Sequence, residues 1–164
     1  MITIRSIVPN DIPEVLKVQR LCYKPALNEA APAFLRKLTL FDKGCLGAWD
    51  RNCLCGYVFS HPWRSGEVVP LDTDSYALPT NADCLYIHDL AVEPAYQNHR
   101  VGHALLEDLF EMANRNGWCT FALVAVQHSE RFWERWGFGP RHKFEYTSGI
   151  NATYMIRKGR PQWK

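Results

Sequence analysis

The stretch from Cys84 to Val126 restricts the fold more than any other part of the chain. Residues 84–92, CLYIHDLAV, form the strongest strand signal, and Pro94 ends it. Ala104, Leu105, Leu106, Leu109 and Phe110 then recur at helical spacing, which predicts a helix from about Val101 to Asn116 that stops at Gly117. Residues 119–126, CTFALVAV, follow as a nearly continuous apolar strand, the pattern of a strand buried on both faces. This strand–helix–strand unit sits inside a mixed α+β domain.

The flanking sequence supplies further elements. ITIRSI (2–7) alternates as a strand. Asp11 is positioned to cap a helix running to about Tyr23, with Ile12, Val15, Leu16 and Leu21 as its apolar face. A second helix is expected from Pro32 to Leu40, carrying Phe34, Leu35 and Leu38. CLGAWD and CLCGYVFSHPW read as a hairpin turning at Arg51-Asn52. Residues 64–82 hold Pro70, Pro79 and many small polar residues, and an irregular stretch of that length in a compact domain is usually functional or mobile. SERFWERW reads as a short helix with a serine cap, ending at Gly137, and two strands are expected near Arg141–Thr147 and Ala152–Arg157. The expected order is β-α-α-β-β-β-α-β-α-β-β. At 164 residues, one domain spanning 1–164 is the default.

Charge and composition exclude several function classes. A formal net charge of +2 gives no clustered basic face for nucleic acid. No run approaches membrane-spanning length, and MITIRSIVPNDIPEV lacks the layout of a secretory signal. The six cysteines fall mostly in apolar stretches and read as buried free thiols of a reducing compartment. A cytoplasmic protein with no membrane or nucleic-acid partner is therefore expected. No CxxC or HExxH occurs, and His99 with His103 alone make a poor ligand pair, so no metal is expected.

The segment before the long helix is unusual. Gln97, Asn98, His99, Arg100, Val101 and Gly102 bring polar side chains, a charge and one glycine to the point where a helix begins. The first amides of a helix lack partners within it and carry partial positive charge. A turn from a strand into such a helix can aim several amides at one anion, while Gly102 lets the anion approach and Arg100 adds a charge-assisted bond. A phosphate or pyrophosphate is the expected ligand; an ordinary turn with a glycine kept for packing is the alternative.

At this point the chain resembles the GNAT superfamily of acyl-CoA N-acyltransferases. LYIHDLAVEPAYQNHRVGHALL is similar to that family's Q/R-x-x-G-x-G/A motif after a strand, and SERFWERWGF is similar to its Phe-Tyr-Glu-x-x-Gly-Phe helix. The N-terminal strand and helix and the hairpin at 44–60 also fall in the family's order. The resemblance implies a mostly antiparallel central sheet flanked by helices, with a splayed pair of parallel strands forming a cofactor gap. It implies acetyl-CoA as cosubstrate, its pyrophosphate on Gln97, Asn98, His99, Arg100, Val101, Gly102 and His103, with Ala104 following. It also implies a pantetheine arm along Leu90, Ala91 and Val92. Two departures stand out. The family usually has glycine at the place of Arg100, which an arginine fits at negative φ but not readily at positive φ. Trp133 takes the slot of a tyrosine that reprotonates the CoA thiolate, and it would pack on the pantetheine or shape the pocket instead.

Acetylation of an amine needs a neutral nucleophile, and alkylammonium groups titrate near about 10, so a base is required. His88 falls where related enzymes carry a glutamate or histidine base, and imidazole titrates at about 6.5. A structural histidine satisfied by a carbonyl is the competing reading. Strict alternation would put Tyr86, His88, Leu90 and Val92 on one face, and Ile87, Asp89 and Ala91 on the other, with Asp89 a structural hydrogen-bonding residue. The amide of Leu90 is the natural donor to the thioester carbonyl. Ser129, Tyr86 and a bound water are the candidate acids, and Tyr146 and Tyr154 are candidates for the acceptor pocket or the core. Residues 61–83 carry His61, Trp63, Glu67, Asp72, Asp74, Tyr76 and Asp83, a wall suited to a cationic amine or else a solvated acidic loop. The function expected is acetyl transfer to a primary amine, the acceptor a small molecule. The alternatives are a protein N-terminal or lysine acceptor, or a CoA-binding sensor without activity. A homodimer stays open.

Overall fold

The computed structural model describes residues 1–159. Seven strands form one sheet: β1 (Ile2–Ser6), β2 (Cys45–Asp50), β3 (Cys53–Trp63), β4 (Cys84–Val92), β5 (Thr120–Ala125), β6 (Gly139–Thr147) and β7 (Ile150–Lys158). Four α-helices join them: α1 (Ile12–Cys22), α2 (Ala31–Phe41), α3 (Val101–Arg115) and α4 (Glu130–Glu134). The strand order is β1-β2-β3-β4-β5-β7-β6. Every neighbouring pair is antiparallel except β4 and β5, which are parallel because α3 carries the chain back between them. The fold is therefore an open α+β sheet with one parallel pair, and its element order is the expected one.

The helices cover both faces. Val15 and Val18 of α1 and Phe34 and Leu38 of α2 pack with Tyr57, Phe59 and Ala91. Leu105, Leu106, Leu109 and Phe110 of α3 pack on the other face with Leu85, Ile87, Phe121 and Leu123. Ala122 joins a third cluster with Tyr86 and Tyr154, so the apolar run of β5 is covered on both sides.

Several local expectations change. Asp11 does not cap α1; its carboxylate closes the turn before it, accepting from Val8 N at 2.9 Å and from Arg5 Nη1 at 2.8 Å. Leu21 is 57 % exposed and Leu35 38 %, because each points away from its helix's packed stripe. Ser129 makes no side-chain cap on α4. Cys45, Cys55 and Cys84 are buried free thiols as expected, but Cys53 and Cys119 are exposed.

The largest correction concerns β4. Phe59 pairs with Asp89, but the next residue, Ser60, pairs with Ile87, so His88 is an extra residue in the ladder. Alternation breaks there. Leu85 and Ile87 pack on the α3 side, as do Leu90 and Val92 beyond the bulge. Tyr86, His88 and Asp89 have their contacts on the opposite side.

Candidate functional site

Strands β4 and β5 pair only at Leu85–Phe121, Tyr86–Ala122 and Ile87–Leu123. Beyond Ile87 the two strands part, since β4 bulges toward β3 and pairs with it as far as Val92–Gly56. The parting opens a cavity of about 660 Å³. Leu90, Ala91 and Val92 line one side, Leu123, Val124, Val126 and Gln127 the other, and Phe132 and Trp133 of α4 a third.

One end of the cavity is the start of α3. Gln97, Asn98, Arg100, Val101, Gly102 and His103 all border it. The amides of Arg100, Val101, Gly102 and His103 have no acceptor among the described residues. Ala104 N–H already donates to Arg100 O at 3.0 Å, and neither Ala104 nor His99 borders the cavity. Asn98 and Arg100 both take left-handed backbone, at φ 67 and φ 61. Arg100 thus accepts the conformation that disfavours a side chain, and it is the N-cap residue of α3. A Cβ on Gly102 would meet only Val92 Cγ2, at 3.5 Å, so the fold itself does not demand glycine there. This end offers what an anion requires: bare amides, the positive end of a helix and a guanidinium.

Along the middle, the carbonyls of β4 are taken by side chains. Tyr23 Oη lies 2.7 Å from Leu90 O, and Gln97 Nε2 and Cys22 Sγ donate to Val92 O at 3.1 and 3.2 Å. Burial pushes the Cys22 thiol up to about 11, which leaves it no nucleophile. Trp133 is buried, with its ring edge-on to Phe132 and Phe138.

The far end is polar and buried. His88 Nε2 lies 2.8 Å from Glu29 Oε1, with both side chains at most 2 % exposed. Glu29 also receives Lys37 Nζ at 3.2 Å and Asp72 N–H at 2.8 Å. Burial alone would raise the Glu29 carboxyl, but His88, Lys37 and the Asp72 amide outweigh it and hold it well below the usual carboxylate range. Asp89 accepts from Tyr23 Oη at 2.6 Å and from Tyr57 Oη at 2.8 Å. Burial dominates its titration and raises its pKa. His61 lies behind His88, and burial pushes it down to about 3.

Of the residues singled out from sequence, His88, Leu90, Ala91, Val92, Gln97, Asn98, Arg100, Val101, Gly102, His103, Ser129 and Trp133 come together around this cavity. Tyr86 does not; it is fully enclosed under β3 and β6, with its hydroxyl against Val69 and Tyr146. Tyr146 borders the cavity and donates to Val69 O at 3.0 Å, whereas Tyr154 Oη accepts from Gly66 N–H. Of residues 61–83, read either as an amine-binding wall or as a solvated loop, only Leu71 borders the cavity. Asp72 bonds Ala30 N–H, Asp83 bonds Ser65, and Tyr76 bonds His61. The carboxylates at the cavity are Glu29 and Asp89 instead. Sequence reasoning passed over Glu29 and Tyr23, whose partners lie 59 and 66 residues away. No group of three His, Cys, Asp or Glu among the described residues is placed to hold a metal ion. No helix among them is long and apolar enough to cross a membrane.

A model of the acetyltransferase (GNAT) family matches residues 12–138. The chain belongs to the GNAT family. Solved GNAT structures agree in fold. The loading GNATL domain of CurA from Lyngbya majuscula superposes with a TM-score of 0.82 at 12 % identity, over 96 % of this chain and 98 % of that one. Ard1 from Thermoplasma volcanium gives 0.77 at 17 %, over 96 % and 97 %. Arabidopsis thaliana Naa50, solved with the bisubstrate analogue CoA-Ac-MVNAL, gives 0.73 at 11 %, over 96 % and 98 %. At these identities the likeness shows the fold alone. No curated protein matches the sequence. GNAT membership supports acetyltransferase activity in general and leaves the acceptor class undetermined.

Proposed function

We propose that the protein, residues 1–164 acting as one unit, transfers the acetyl group of acetyl-CoA directly to the primary amine of a small molecule. The observation that carries this reading is the parting of β4 from β5 beside a helix start with four unpaired amides. The amides of Arg100, Val101, Gly102 and His103, with the Arg100 guanidinium, bind the cosubstrate's pyrophosphate. Leu90, Ala91 and Val92 line the path of the pantetheine arm, and Trp133 walls it. His88 takes a proton from the acceptor ammonium. The neutral amine attacks the thioester carbonyl, whose developing oxyanion faces the Leu90 amide. The C–N bond forms as the C–S bond breaks. The attacking nitrogen loses its second proton as the amide forms, and that proton passes to the leaving thiolate through solvent or by relay over the Ser129 hydroxyl; a thiol titrates near about 8.5, so no strong acid is needed in the slot of Trp133.

A loop tied down beside the cavity supports the small-molecule reading. Leu71 borders the cavity, and the loop carrying it is tied down by Asp72 to Glu29 and Ala30 and by Val69 to Tyr146. A peptide amino terminus is the second reading, favoured by the fold likeness to Ard1 and Naa50. Thiol release measured with small amines and with short peptides decides between them. Turnover with amines and not peptides is expected; turnover with peptides alone reverses the acceptor, and binding of acetyl-CoA without turnover leaves a sensor.

A further inference from the structure

The Glu29–His88 contact has three properties that together say more than an ion pair. First, every polar atom of Glu29 is hydrogen-bonded. Its own N–H donates to Gln19 Oε1 at 2.8 Å, and its C=O accepts from Gln19 Nε2 at 2.9 Å. Its carboxylate is gripped by Lys37, the Asp72 amide and His88. Second, a carboxylate held ionised can only accept, so the nitrogen facing it must be a donor. His88 Nε2 therefore carries a proton. Third, His88 Nδ1 is buried and has no hydrogen-bond partner among the described residues. Buried polar atoms are rarely left unpaired in native structures, because the unpaired group loses its hydration without compensation.

We infer that Glu29 is a positioning residue that locks His88 in the Nε2–H tautomer and leaves the Nδ1 lone pair as the proton acceptor of the site, with Lys37 as the counter-charge that tunes it. This rests on the acetyl-transfer reading above and names the atom that does the work. The step is a proton transfer only. The acceptor ammonium gives one proton to Nδ1, which acceptor binding must first uncover because the His88 side chain is 1 % exposed in the free fold, and becomes a neutral amine. The ring becomes an imidazolium whose Nε2–H stays on Glu29, and it returns its proton to solvent after turnover.

The charged and titratable groups around the ring are Glu29 and Lys37 at α2, His61 of β3, and Tyr86 and Asp89 of β4. Tyr76 lies beyond His61, and Tyr146 of β6 beyond Tyr86. Of these, Glu29 and Lys37 act on the imidazolium with opposite sign. Removing the negative charge disfavours imidazolium; removing the positive charge favours it. A base must be neutral to act, so the acid limb of the pH–rate profile moves to lower pH in Glu29→Gln and to higher pH in Lys37→Met. A merely structural role would not produce opposite shifts.

The test joins kinetics to a readout that needs no turnover. Long-range proton–nitrogen NMR spectra of the free protein are expected to show His88 protonated on Nε2 with a pyridine-like Nδ1. Glu29→Gln is expected to lower kcat roughly 10²-fold while the KM for acetyl-CoA stays near the wild-type value. If that variant does not fold, Lys37→Met and the wild-type spectra still decide. An Nδ1–H tautomer, or acid limbs that move together or not at all, overturns the inference. Wild-type protein with the expected tautomer but no thiol release with any amine or peptide overturns the acetyl-transfer reading, and the proton-accepting role with it, while the lock on the tautomer stands.

Discussion

His88 and Asp89 are neighbours in sequence on a strand, yet both make their polar contacts on the same side of the sheet, because the ladder between β3 and β4 carries one extra residue at His88. The bulge brings an imidazole and a carboxylate side by side where regular alternation would separate them. It also turns β4 away from β5 and opens the cavity.

His88→Ala should therefore strike turnover and spare binding. Its ring is packed against Glu29, and His88 is not among the residues at the start of α3. A fall in kcat of roughly 10²-fold or more is expected, with acetyl-CoA affinity nearly unchanged. Steady-state kinetics beside a binding titration check this; equal turnover in the two proteins removes His88 as base.

Glu29 also governs acid stability. Its carboxyl titrates below its ordinary 4.5 in the fold, so the stability it confers is complete above that pH and is lost as pH falls toward the folded value. Asp89 runs the other way: its pKa is raised above 3.8, so its protonation favours the fold as pH falls. Glu29→Gln should be less stable at neutral pH by about 3–5 kcal/mol, because it leaves Lys37 buried without its carboxylate. That gap should narrow as pH drops below the ordinary carboxylate value. Urea denaturation across this range measures it, and a gap independent of pH contradicts the account.

Arg100 trades backbone comfort for charge. At φ 61 a glycine would sit without strain. Arg100→Gly should gain up to about 1 kcal/mol of stability, less what the added freedom of the unfolded chain takes back. The same variant should bind acetyl-CoA more weakly and with a shallower salt dependence. Thermal melts and affinities at two salt concentrations test both halves; an unchanged salt dependence removes the guanidinium from the phosphate site.

Trp133 packs and does not titrate. Its ring is buried between Phe132 and Phe138, and indole is no acid at neutral pH. Trp133→Phe should keep turnover within about threefold and cost roughly 1–2 kcal/mol of stability for the lost ring volume. Abolished turnover in a folded variant would demand a polar role for the indole.

The parts of this molecule that the sequence made legible are those that rest on local pattern. The periodicity of Leu105, Leu106, Leu109 and Phe110 marks α3, and the turn residues around Arg51 mark the β2–β3 hairpin. Gln97 to Gly102 marked a helix start through chain-local chemistry, and all of them but His99 border the cavity. What stayed hidden depends on register and on long-range contact. The slip between Phe59 and Ser60 has no glycine or proline to announce it, so the facing of His88 and Asp89 was misjudged. Glu29 sits in NEAAPAF, a string that reads as an ordinary helix approach, and only folding brings it to His88. Tyr23 likewise reads as a helix end until its hydroxyl is seen between Asp89 and Leu90.

The central claim is that the unpaired amides at the start of α3 grip the phosphates of CoA. Gly102→Ala tests it most directly, because the added methyl would meet only Val92 Cγ2 at 3.5 Å and alanine favours a helix, so the fold should not suffer. Calorimetric titration of acetyl-CoA into the wild type is expected to show saturable one-to-one binding. Affinity should fall at least about tenfold, or about 1.4 kcal/mol, in Gly102→Ala, with its melting temperature held or raised. No heat of binding in the wild type, or equal affinity in the two proteins, would contradict the account.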